Sequence, residues 1–205
     1  MSDQSVAYLK DHIKGQLVEA VLIDGVSSDD VERAEAAWQP FLVQELDKHR
    51  RTGNPEIRQL EHSHWDWRKK HRATEGLIAY RMFGVECDGE VQGLMLVSTA
   101  GHPCRIDDQK GKEQVYVDFV ATAPWNSPML VEAPRYGLVG RVLIATAVQL
   151  SLAEGFRGRI GLHALPQAET FYAQKCGMTD LGKDIKKQGL RYFEMTPVQA
   201  AGFLQ

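Results

Sequence analysis

Apolar and polar positions along this chain follow two different periods, and the change of period divides it. Residues 3–50 read as two helices separated at Gly25–Ser28, with Ser28 or Asp29 capping the second by accepting backbone N–H bonds. In that second helix Val31, Ala34, Trp38, Leu42 and Leu46 fall three or four residues apart. They form one apolar stripe, which needs a surface to pack on. Thr52-Gly53-Asn54-Pro55 is a break, and Glu56 to Arg72 is predicted helical, with Ile57, Leu60, His64 and Trp67 on one side.

From Gly76 onward the spacing is that of strands. Two apolar runs flank Asp88-Gly89, a pair that supplies the positive φ angles of a tight hairpin turn. After a polar loop around Gly101–Gly111, the stretch EQVYVDFVATA is apolar on both faces and reads as a central strand ended by Pro124. Val139, Val142, Leu143, Ala147 and Leu150 mark a helix closed by Gly155. A short strand over Arg159–Ala164, a helix over Pro166–Lys175 and a last strand over Leu190–Met195 follow. The expected fold class is α/β, a mixed central sheet flanked by helices. Residues 1–50 are expected to form a helical extension that packs on a domain of residues 51–205.

Composition narrows the class without naming a function. The 205 residues are 43% hydrophobic and 25% charged, with a mean hydropathy of −0.32, as in ordinary globular proteins. No apolar run approaches a membrane span, and the acidic and polar start lacks the basic, then apolar, pattern of a signal peptide. A cytoplasmic protein is expected. Cys87, Cys104 and Cys176 are odd in number and widely spaced, which suits reduced thiols and argues against a cysteine-rich metal site. A net charge of −3 and a pI of about 6.2 give no long-range pull on nucleic acid or anionic lipid, so neither partner is expected.

The passage APWNSPMLVEAPRYGLVG leads from a buried strand into a helix. Free N–H groups and the positive dipole end at such a helix start can hold a diphosphate. Gly137 and Gly140 would let the backbone approach the ligand, and Arg135 adds a charge able to pair with phosphate. Asp118 stands in an otherwise apolar strand, where a carboxylate must be paired, face a cleft or shift its pKa. His163 is the other group able to take a proton near neutrality. His62, His64 and Asp66 alternate, but a helix would spread them around its circumference, and no metal is expected. The run Arg68–Arg72 reads as a solvated face.

In RYGLVGRVLI, Arg135 opens and Gly140 closes a pattern that resembles the pyrophosphate loop of the GNAT acetyltransferase superfamily, with Leu138 standing where the middle glycine belongs. A second segment, AETFYAQKCGM, is similar to the superfamily's Ala-x-x-Phe/Leu-Tyr-x-x-x-Gly-Phe, with Ala168, Phe171, Tyr172, Gly177 and Met178 at the matching places; the Asn that often precedes it is replaced by Leu165-Pro166. The two motifs and the strand order together span residues 76–196. The resemblance implies a GNAT-like fold and transfer of an acetyl group from acetyl-CoA to an amine, small molecule or protein. It implies that Val120, Ala121 and Thr122 hold the pantetheine arm where their strand splays from the next. Residues Arg135, Tyr136, Gly137, Leu138, Val139, Gly140 and Arg141 would then hold the diphosphate, and Tyr172 would act as the acid toward the departing thiolate. Asp118, placed like the glutamate base of the histone-acetylating members, or His163, would act as the base. Glu169 would orient Tyr172 or the acceptor, or be a plain exposed helix carboxylate, and Trp65 and Trp67 would line an acceptor pocket or sit in the core. A non-catalytic acyl-CoA-binding module is the alternative. The acceptor and the oligomeric state, a homodimer included, stay open.

Overall fold

The structure is a computed structural model that describes residues 3–52 and 65–205. Residues 3–24, expected as a helix, form a hairpin instead. Strands β1 (Asp3–Asp11) and β2 (Gln16–Asp24) pair antiparallel from Asp3↔Asp24 to Asp11↔Gln16. Val18, Val21 and Ile23 are β-branched, and their stiff side chains suit a pleated surface. Leu9, Ala20 and Ile23 are buried while Val6, Tyr8 and Leu17 face outward. Apolar residues on both faces of the hairpin give a spacing that also fits a helix, which is why the period misleads here. The turn is set by Asp11, whose Oδ1 accepts from the amides of Ile13 and Lys14 at 2.8 and 2.9 Å, and by Gly15 at φ +68°.

The second expected helix is present as α1 (Ser28–Thr52). Val31, Ala34, Trp38 and Leu42 of its stripe are buried. Its cap lies one residue earlier than expected: the Ser27 hydroxyl accepts from Asp30 N, and Asp30 Oδ2 accepts from Ser27 N. This reciprocal arrangement satisfies two donors at once. The break at residues 53–55, together with Ile57, Leu60, His62 and His64, lies outside the described residues. Of the helix expected over 56–72, the described part is α2 (Trp67–Thr74), capped by Asp66, which accepts from Lys69 N at 3.1 Å.

The remaining strands are β3 (Tyr80–Cys87), β4 (Glu90–Ser98), β5 (Val115–Thr122), β6 (Tyr136–Gly137), β7 (Ile160–Ala164), β8 (Thr179–Asp184) and β9 (Leu190–Met195). With β1 and β2 they form a mixed sheet in the order β6-β1-β2-β3-β4-β5-β7-β9-β8. Two more helices are described, α3 (Val139–Ala153) and α4 (Pro197–Phe203). The chain divides into two compact units, one of residues 1–77, 82–95 and 120–143 and the other of residues 78–81, 96–119 and 144–205.

In the first unit β2 pairs antiparallel with β3, and the β3–β4 turn has Asp88 at φ 53° and Gly89 at φ 76°, the conformation expected of that pair. The start of α3 lies close to β4. A Cβ at Gly93 would come within 2.6 Å of Val139 Cγ1 and 3.0 Å of Leu143 Cδ1, so only glycine permits this approach. In the second unit β5 runs parallel to β7, while β7 and β8 are both antiparallel to β9. The helix expected over Pro166–Lys175 is a 3₁₀ turn at Pro166–Ala168 followed by a wide π-type turn at Phe171–Lys175. In that turn Cys176 N reaches Phe171 O at 3.0 Å, five residues back. Strand β8 and helix α4 were not anticipated.

Candidate active site

The second unit brings Asp118 and His163 to neighbouring strands at the point where pairing ends. Register between β5 and β7 covers Val115↔Ile160, Tyr116↔Gly161 and Val117↔Leu162, while β5 continues to Thr122. Asp118 is the first residue of β5 past the last pair. Burial pushes its carboxyl up to about 6, because the charged form loses water. The Ser98 hydroxyl pulls the other way, yet it falls short of a well-formed bond: Asp118 Oδ2 and Ser98 Oγ are both buried without a hydrogen-bond partner. A carboxylate in this state is ready to accept a proton.

His163 is held very differently. Its Nε2 lies 3.0 Å from Asp184 Oδ2, and its Nδ1 lies 2.6 Å from the Tyr116 hydroxyl. The Arg105 guanidinium, donating at 2.7 Å, and the His163 contact hold the Asp184 carboxyl down to about 2. Asp184 is therefore an acceptor at neutral pH, which puts the ring proton on Nε2. Burial lowers the His163 pKa and favours the neutral ring, so Nδ1 accepts from the Tyr116 O–H. Both ring nitrogens are thus committed inside the protein. His163 can positively orient Tyr116, but it has no free lone pair for a substrate proton. Tyr116 lies two residues from Asp118 on the same face of β5, and the His102 ring stacks on it at 3.9 Å.

Tyr172, the second residue of the wide turn, is almost fully buried, with the ring centroids of Phe171 and Phe193 at 5.2 and 5.9 Å. Burial raises its hydroxyl pKa, so it keeps its proton at neutral pH. Glu169 pairs with Arg191 at 3.4 Å.

In the first unit the loop before α3 is built from polar side chains. Gln92, buried on β4, accepts at Oε1 from Trp125 Nε1 at 2.8 Å and from Asn126 Nδ2 at 2.9 Å. Asn126 Oδ1 in turn accepts from Tyr136 N at 2.9 Å. Tyr136 donates its hydroxyl to Asp88 Oδ2 at 2.6 Å, and Arg135 pairs with Glu90 at 3.0 Å and Asp88 at 3.1 Å. The charge expected to meet phosphate is thus already matched by two carboxylates. Space beside Gly137 is taken as well, since a Cβ there would lie 2.8 Å from His12 Nε2. That glycine admits the close contact of β6 with the β1 hairpin.

Leu138 carries the most telling backbone angle. It has φ 73°, a left-handed conformation that costs a side-chain-bearing residue about 1–2 kcal/mol, at the position where the resembling motif has glycine. The first bond of α3 runs from Val142 N to Leu138 O at 2.9 Å. The amides of Val139, Gly140 and Arg141 therefore belong to the first turn, which contains no acidic residue. Such a turn is chemically suited to a diphosphate.

Tyr116, Asp184, Arg105 and Gln92 escaped the sequence reading. Tyr116 had a signal, its two-residue spacing from Asp118. The others are tens of residues from their partners and had none.

No protein-family model matches this sequence, and neither does any curated protein. Among solved structures, an uncharacterized protein from Bacillus halodurans is similar over 97% of this chain and 94% of its own, at 10% identity and a TM-score of 0.54. A bacterial toxin is similar over 74% and 83%, at 15% identity and a TM-score of 0.50. The PaiA N-acetyltransferase from Thermoplasma acidophilum, solved with coenzyme A, is similar over 85% and 98%, at 10% identity and a TM-score of 0.49. At these identities the likeness is one of fold, a mixed sheet flanked by helices with a parallel β5–β7 pair.

Proposed function

We propose that the chain is an acetyl-CoA-dependent N-acetyltransferase that passes the acetyl group directly to an amine in the cytoplasm. The observation that carries this reading is Asp118, a half-buried carboxylate with one buried, unpartnered oxygen where β5 leaves β7. Acetyl-CoA supplies an acyl group activated as a thioester. The backbone of Val120, Ala121 and Thr122 holds its pantetheine arm, and the amides of Leu138, Val139, Gly140 and Arg141 hold its diphosphate. Arg135, Tyr136 and Gly137 shape that loop through the contacts described above.

Asp118 takes the proton from the incoming ammonium, and a carboxyl at about 6 is ionised yet basic at neutral pH. His163 serves as a positioning residue for Tyr116. Tyr172 keeps a proton at its hydroxyl for the departing sulfur. Cys87, Cys104 and Cys176 are buried thiols outside any disulfide, as fits a reducing compartment, and among the described residues no helix is long and apolar enough to cross a membrane.

Coenzyme A at about 100 times its Kd is expected to stabilise the protein by about 2.7 kcal/mol, read as a rise in Tm. Acetyl-CoA with a screened set of amines is expected to release free thiol. Tyr172→Phe is expected to lower kcat about 10²- to 10⁴-fold with little change in coenzyme affinity, because the hydroxyl acts as charge develops on sulfur. A Tm rise with no turnover on any amine would point to an acyl-CoA-binding module instead. No rise at millimolar coenzyme A would remove the proposal.

A further inference from the structure

The first unit contains a cleft lined by Trp38, Trp65, Trp67, Leu42 and Leu130, reaching Thr122 at the end of β5. The cleft is compact, and its space reaches about 430 Å³ only when the open solvent at its mouth is counted. Its walls are held by bonds that do not use the cleft. Trp38 Nε1 donates to Val91 O at 2.9 Å, and Trp67 N donates to the buried Glu35 carboxylate at 2.5 Å. Trp65 and Trp67 stand edge to face at 6.3 Å. Among the described residues the polar lining is limited to Gln39, Thr122 and Ser127, and none of the described lining carries a charge.

From this cleft we infer the acceptor class: an amine carried on a compact, uncharged apolar body, an aromatic ring first of all. Indole faces and edges favour ring contacts, worth about 0.5–1.5 kcal/mol each beyond area burial. A single ammonium next to such a body is also tolerated by indole faces. A polyamine, an aminoglycoside or a lysine peptide carries further charges, and the described walls offer no carboxylate to match them. The inference rests on the N-acetyltransferase reading, since it takes the cleft's occupant to be the acceptor.

The test uses the full chain with saturating coenzyme A. Intrinsic tryptophan fluorescence is titrated with 2-phenylethylamine and, separately, with spermine, and both are then assayed as acceptors. Saturable quenching by 2-phenylethylamine is expected, at least tenfold tighter than any by spermine, and with it the higher kcat/KM. Ser127→Phe, at the half-buried rim, and Trp65→Ala are each expected to weaken 2-phenylethylamine at least tenfold while the coenzyme-induced rise in Tm stays. Equal or tighter binding of spermine overturns the inference, as does 2-phenylethylamine binding that neither variant weakens. Loss of the coenzyme-induced rise in the parent would instead overturn the acetyltransferase reading itself.

Discussion

Two carboxylates in the second unit, each with an oxygen out of contact with water, show opposite solutions to the same problem. Glu194 on β9 is fully buried, and its oxygens accept from Arg105 N at 2.6 Å, Ile106 N at 3.0 Å, Gln109 Nε2 at 2.7 Å and the Tyr192 hydroxyl at 3.1 Å. Asp118 on β5 has one buried oxygen that accepts nothing. Four donors replace the water that Glu194 lost, and the strand end is tied to the loop before β5. At Asp118 the lost water is not replaced, and the cost appears as a raised pKa. A saturated carboxylate builds the fold, whereas an unsaturated one at the end of a strand pairing is available for chemistry.

The sharpest way to break this contrast is Glu194→Leu. It leaves four donors facing an apolar side chain and is expected to cost about 3–5 kcal/mol, measured by urea unfolding. Glu194→Gln keeps one acceptor oxygen and should cost less. If Glu194→Leu unfolds within 1 kcal/mol of the parent, roughly the worth of a single bond, the four contacts do not carry the loop.

Asp118→Asn should act in the other direction. A carboxyl whose pKa rises from 3.8 unfolded to about 6 folded favours the native state below pH 3.8, and that advantage is lost as pH rises through 6. At pH 7 the charged group therefore costs about 3 kcal/mol, which Asn removes. The variant is expected to gain stability over the parent at pH 7 and little at pH 4. In the same variant the acidic limb of kcat/KM near pH 6 should flatten, while His163→Gln should retain it. An Asn variant equally stable relative to the parent at both pH values would show that the carboxylate is well solvated.

A smaller effect is expected at the His163 network. Tyr116→Phe removes the donor to Nδ1 and should cost about 1–3 kcal/mol. Nitrogen NMR should show the proton on Nε2 of His163 in the parent, and a signal from the opposite tautomer would reverse the assigned bond directions.

The smallest change is expected at Leu138→Gly. Relief of left-handed strain, about 1–2 kcal/mol, is offset by the extra freedom glycine gives the unfolded chain, about 0.5–1 kcal/mol. A net gain within about 1 kcal/mol, with coenzyme affinity kept, is the expected outcome. Weaker coenzyme binding by tenfold would mean that the leucine side chain, and not only its backbone, belongs to the loop.

The sequence by itself determined those features that depend on neighbours along the chain. The Asp88-Gly89 turn, the α1 stripe, the central β5 strand and the start of α3 all follow from local conformational preference and spacing, which the tertiary structure had no reason to override. Asp118 was legible as well, because a lone carboxylate in an apolar strand must answer for its desolvation wherever the strand lies. Tertiary structure decided the rest. The β1–β2 hairpin, read as a helix, was settled by pairing with distant strands, which supplies bonds that local spacing cannot weigh. The difference between Asp118 and His163 came from Asp184 and Tyr116, which lie 21 and 47 residues from His163 and commit both its nitrogens. Arg135 lost its expected freedom to Asp88 and Glu90, 47 and 45 residues away. Residue type fixes which protons a side chain can exchange, but its partners fix whether a lone pair is free, and partners are brought together only by the fold.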